Sequence, residues 1–93
     1  MPRPCKNRRV RGIPNSNYFK PAGVPFSSLS QVELDMDEFE SLRLIYIDNL
    51  PQEEASKKMQ ISQPTFSRIL KSTIKKISDA IVNGKAIKIK WNY

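Results

Sequence analysis

One polar run has a regular pitch: Ser62-Gln63-Pro64-Thr65-Phe66-Ser67-Arg68-Ile69-Leu70-Lys71. Ser62 is placed to cap a helix, and Pro64 is tolerated because it falls in the first turn. With Phe66 and Ile69 turned inward, Gln63, Thr65, Ser67, Arg68 and Lys71 are left to face outward, with capping or plain solvent exposure the alternative role for Thr65 and Ser67. Amides, hydroxyls and cations on one helix face are the groups that read base edges and hold phosphates in a duplex groove. Gln63 suits adenine, and Arg68 suits either a guanine edge or a phosphate. A second basic set, Arg3, Lys6, Arg8, Arg9 and Arg11, makes an arm for a minor groove or backbone, or else a solubilising tail.

Catalytic chemistry has little to work with. The chain contains no His, which removes the commonest general base and any Ser–His or Cys–His dyad. Its single Cys5 has no partner for an internal disulfide, and the usual zinc-ligand sets are out of reach. Basic neighbours would lower the Cys5 thiol pKa, but a passive thiol is the simpler reading. No carboxylate pair or activated nucleophile can be assembled, so the expectation is a non-enzyme with no cofactor and no metal. No apolar run approaches the ~20 residues of a membrane span, and the polar start does not read as a signal peptide, so a cytoplasmic protein is expected.

The elements that must position these residues come from one small domain of 93 residues, 39% hydrophobic and 27% charged. A core of that size is thin, and a second copy would add to it. The net charge of +7 favours a polyanionic partner. The charge is segregated along the chain. Residues 1–20 are basic with no acid, residues 21–61 hold eight of the nine acids, and residues 62–93 carry seven basic residues against Asp79 alone. A plain solvated surface would mix the signs.

Residues 1–30 form a basic, Pro-rich arm and an ordered loop, since five prolines there forbid a long helix. Arg9–Ile13 alternates like a short strand. Asn15–Ser28 reads as a loop with Tyr18, Phe19, Val24 and Phe26 available to pin it. Residues 31–84 are the helical domain. Gln31–Leu34 is a further short strand, and Asp35 with Glu38 spells a capping box for a helix running to about Asp48. Asn49-Leu50 breaks it, and Pro51 suits the first position of a short helix through Met59. The third helix is long. Phe66, Leu70, Ile74, Ile77 and Ile81 recur at helical steps up to Asn83, with Gly84 as terminator. In residues 85–93, Ile87, Ile89 and Trp91 alternate with lysines as a strand on the same domain. Its mate is Arg9–Ile13, Gln31–Leu34 or the same strand of another copy.

Short helix, tight break and capped helix are the parts of a helix-turn-helix. Ser56 beside Ala55 supplies the small residue where the two helices cross, and Ile61 the apolar plug of the turn. Gln52, at the start of the first of these helices, is positioned to donate to a phosphate. Lys75 and Lys76 fall past the groove, either near phosphates or merely solvated. The stripe Leu70–Ile81 outruns a lone helix-turn-helix, so it packs within the monomer or forms the seam of a homodimer.

Leu42–Leu50, Gln52–Ser56 and Ile61–Leu70 resemble the helix-turn-helix of sigma factor region four. The opening Met1-Pro2-Arg3-Pro4, the loop Tyr18–Pro25 and the helix start Asp37–Leu44 resemble more closely a family of small, largely uncharacterised prokaryotic proteins described as predicted DNA-binding proteins. The resemblance covers nearly the whole chain. It departs at Gln60, where Gly is common in the turn, at Pro51, where Ser or Thr caps, and at Gln63, where Arg is frequent. It implies a mainly α fold, a three-helix core with a long third helix, with short β-strands at the N-terminal segment and C-terminus. The function it implies is a transcriptional regulator that binds double-stranded DNA. The competing readings are a protein-interaction adaptor for the transcription machinery, docking through the acidic stretch Glu33–Glu54, and a structured-RNA binder.

Overall fold

Residues 18–90 are described in a computed structural model of the protein. Within them, helix α1 (Met36–Leu42) starts at the Asp35 cap, and Glu38 Oε1 accepts from the Asp35 amide at 2.9 Å. That completes the capping box. After α1 come helix α2 (Gln52–Met59) and helix α3 (Gln63–Asn83), the latter closed by Gly84 at φ 66°. Strands β1 (Tyr18–Phe19), β2 (Gln31–Leu34) and β3 (Ala86–Ile89) form one sheet in the order β1-β3-β2. β3 runs antiparallel to β1 and parallel to β2, with Ala86 opposite Gln31 and Ile89 opposite Leu34.

Glu38 ties these parts together. It is buried, and besides the cap amide its carboxylate accepts from Ser72 Oγ and Lys76 Nζ on α3, both at 2.8 Å. Lys76 also donates to the Glu33 carbonyl of β2 at 2.8 Å. Burial pushes the Glu38 carboxyl pKa up, but the hydrogen bonds from Lys76, the Asp35 amide and Ser72 outweigh it and hold the value below normal. Beside this junction Thr73 is fully buried, its hydroxyl donating to the Ile69 carbonyl at 2.8 Å.

The main core is Leu44, Ala55, Met59, Phe66 and Leu70, packed around by Ile45, Leu50 and Ile61. Ala80 of α3, Leu34 of β2, and Ala86 and Ile89 of β3 are also buried, where the helix meets the sheet. Removing these apolar groups from water is the main drive for folding.

Several expectations need correction. The helix expected to reach Asp48 changes to a π turn at Arg43–Ile47, where the Asp48 amide bonds the Arg43 carbonyl. Arg43 braces that turn, donating to buried Glu40 at 2.7 Å and to Asp48 at 3.0 Å. Pro51 is not the first helical residue but the cap: its ψ of 157° is extended, and its carbonyl accepts the Ala55 amide. Tyr18–Phe19 is a strand rather than loop, because it supplies the second edge of β3. The strand faces do not alternate cleanly either, since Ala86 is fully buried along with Ile89.

The apolar stripe of α3 also drifts. Its steps of four overrun the 3.6-residue turn, so Ile74 and Ile81 move off the core, Ile81 being 73% exposed. Thr73 and Ala80 take the buried places. The expected strand Arg9–Ile13 and Trp91 lie outside the described residues.

The Glu38 junction has a pH signature. A carboxyl with a depressed folded pKa stabilises above the normal glutamate value, and that contribution disappears as pH falls through the folded value. Denaturant melts should therefore show the native chain weakening in acid. Glu38→Gln should cost about 2 kcal/mol at pH 7 and show a shallower acid limb.

Candidate nucleic-acid interface

The turn between α2 and α3 is made by three residues. Gln60 is left-handed, at φ 60° and ψ 43°, and its amide bonds the Lys57 carbonyl at 3.0 Å. The Ile61 amide bonds the Ser56 carbonyl at 3.1 Å, and the Ile61 side chain packs against the core. Ser62 is the cap, accepting the Thr65 amide at 3.3 Å and donating to Thr65 Oγ1 at 2.8 Å. Across the crossing, Ala55 and Ser56 are buried, and the Ser56 hydroxyl folds back on the Glu53 carbonyl at 3.0 Å. Small side chains here let α3 approach. Phe66, fully buried, then fixes which side of α3 faces in.

That rotation sorts the expected contact residues. Gln63, Arg68 and Lys71 are exposed, and Ser67 is half-buried. At about 100° per residue they share one broad arc, away from Phe66 and Thr73. Thr65 does not join them. It is half-buried, its hydroxyl is engaged by Ser62, and it points to a different side of the helix. Gln52 is exposed at the α2 start, but Glu53 and Glu54 follow it, both exposed. Two carboxylates there oppose an incoming phosphate. Arg3, Lys6, Arg8, Arg9 and Arg11 lie outside the described residues, as does Cys5.

The cations of the C-terminal third are not equivalent. Lys76 is held by Glu38, Lys85 by Asp79 at 2.8 Å, and Lys90 lies 3.8–3.9 Å from Asp35 and Glu33. Lys88 sits 6.0 Å from the centre of the Tyr18 ring. Hydrogen bonds from Lys85 and Asn83, with the nearby charges of Lys85 and Lys75, lower the Asp79 pKa. Arg68, Lys71 and Lys75, by contrast, are exposed and have neither hydrogen bond nor salt bridge among the described residues. Lys75 was expected beside Lys76, past the groove, and the structure separates the two. The signal was in the spacing: Arg68, Lys71 and Lys75 follow at three and four residues, one row of a helix. On α2 the outward charges balance, with Lys57 3.9 Å from Glu53 and Lys58 a turn beyond Glu54.

Beyond the cations the outward side of α3 becomes apolar. Ile81 and Val82 are exposed there, beside a cavity of about 220 Å³ lined by Phe19, Pro21, Ala80 and Ile87 among others. Among the described residues no cluster of His, Cys, Asp or Glu is arranged to hold a metal. No described helix is long and apolar enough to cross a membrane.

Three helices, two of them joined by a tight left-handed turn, and a small mixed sheet define the class of the molecule. The chain belongs to the family described as Protein of unknown function DUF134, whose model matches residues 1–92. It is similar to a UPF0251 protein of Caldanaerobacter subterraneus subsp. tengcongensis, 52% identical over 89 residues, which are 96% of this chain and 75% of that protein. A UPF0251 protein of Thermoanaerobacter pseudethanolicus is 51% identical over 89 residues, with the same coverage. One from Moorella thermoacetica is 47% identical over 93 residues, all of this chain and 62% of its own length. No solved structure matches significantly.

The turn makes its own prediction. A left-handed backbone costs an L side chain more than it costs glycine, so Gln60→Gly should raise stability by about 0.5–1 kcal/mol, a gain of several degrees in Tm. Ser62→Ala should lower it by about 1 kcal/mol, read in the same thermal melts.

Proposed function

We propose that this chain is a DNA-binding protein, a transcriptional regulator working in the cytoplasm, that lays the first turns of α3 into the major groove of duplex DNA. The observation that carries the reading is the sidedness of α3. Phe66 and Leu70 are buried against α2 and the π turn, while Gln63, Arg68 and Lys71 stay exposed with no hydrogen bond or salt bridge among the described residues. A helix of 21 residues, about 30 Å long, presents this face without obstruction from the described elements. The resemblance of the α2–turn–α3 sequence to sigma factor region four supports the same docking mode.

In this reading Gln63, Ser67 and Arg68 reach base edges and Lys71 a phosphate. Thr65 acts in the cap instead. The chain has no catalysis of its own. For the adaptor reading, Glu38 and Glu40 are buried and paired, which leaves the exposed Asp48, Glu53 and Glu54 among its docking acids.

Selection from random duplexes at fixed salt should return one recurring motif, and a symmetric motif would show that two copies bind. Arg68→Ala combined with Lys71→Ala should weaken binding to that motif at least ten-fold at low salt without changing the circular dichroism of the chain. Affinity for duplex DNA that survives both changes would overturn the proposal.

A further inference from the structure

The major groove is about 12 Å wide, whereas α3 is about 30 Å long at 1.5 Å per residue. A helix that crosses the groove must leave it. Counting from Gln63, the first eight residues or so take up the width, which brings the chain to about Lys71. Lys75 stands one turn further along the same row, where the phosphates of the groove wall pass. Past Lys75 the outward row has no further cation: Ser78, Ile81 and Val82 follow. The lysines nearest in sequence are already committed, Lys76 to Glu38 and Lys85 to Asp79.

We infer that Lys75 holds a backbone phosphate at the point where α3 leaves the groove, and that the ion-paired Lys76, Lys85 and Lys90 take no part although their formal charge is the same. The inference rests on the duplex-binding reading above. Its physical content is that fixed ion pairs decide which cations displace counterions. A lysine whose charge is met within the molecule has little to offer a phosphate. Lys75 makes no salt bridge among the described residues and meets Asp79 only through space, so it releases a condensed ion from the duplex when it binds. Such a contact adds affinity without reading sequence.

The experiment measures affinity against salt concentration with the full chain, on its selected motif and on an unrelated duplex of equal length. Lys75→Gln should reduce the slope of log affinity against log salt by about 0.9 and weaken both duplexes alike, roughly eight-fold at 0.1 M salt. Lys75→Arg should restore the native slope. Lys85→Gln and Lys90→Gln, which remove the same formal charge, should leave it unchanged. An unaltered slope in Lys75→Gln, or an equal drop in Lys85→Gln, would overturn the inference while leaving duplex binding in place. A native chain with no salt-dependent affinity for any duplex would remove both readings.

Discussion

The rotational setting of α3 depends on one buried carboxylate. Glu38 closes the cap of α1 and receives Ser72 and Lys76 from α3, while Lys76 reaches on to the Glu33 carbonyl. A buried charge without partners is costly, so the arrangement is satisfied only when the Ser72–Lys76 side of α3 faces α1 and β2. Phe66 and Leu70 impose a compatible rotation from the α2 side. Two unlike constraints, one polar and one apolar, therefore agree on which arc of the helix remains outward. The position of Arg68, Lys71 and Lys75 follows from that agreement and not from anything in their own chemistry.

Net charge is in this sense a poor guide to the field a partner meets. The C-terminal third carries seven cations, but four are drawn into ion pairs or laid over a ring. The three that remain are aligned on successive turns. An approaching polyanion would find a short row of charge with an apolar margin beyond it, rather than a diffuse basic surface.

Much of this was legible in the residues. The Asp35–Glu38 box, the Ser62 cap, the Gly84 stop and the Gln31–Leu34 strand are local signals, settled within a few residues, and they appear where the spelling puts them. What could not be read was set by distant partners. Thr73 and Ala80 displace Ile74 and Ile81 from the buried face because α1 and the sheet, not the helix's own periodicity, define where the core lies. The π turn is braced by Arg43, which bridges Glu40 and Asp48 on both sides of it. Tyr18–Phe19 becomes a strand only because β3, almost seventy residues later, offers an open edge. The outward placement of Gln63, Arg68 and Lys71 was legible from the Phe66–Ile69 pattern. The split between Lys75 and Lys76 was not, since it turns on a glutamate 38 residues before Lys76.

The strand order has a consequence for how the molecule assembles. β3 is the middle strand, yet of the described elements it is the last to be synthesised. Until it leaves the ribosome, β1 and β2 have no neighbour and cannot pair with each other across the gap it fills. The helices, whose contacts are closer in sequence, are complete before that. Nascent chains therefore carry two unpaired strands until β3 emerges, and the sheet closes in a single insertion that clasps the start of the helical segment to its end.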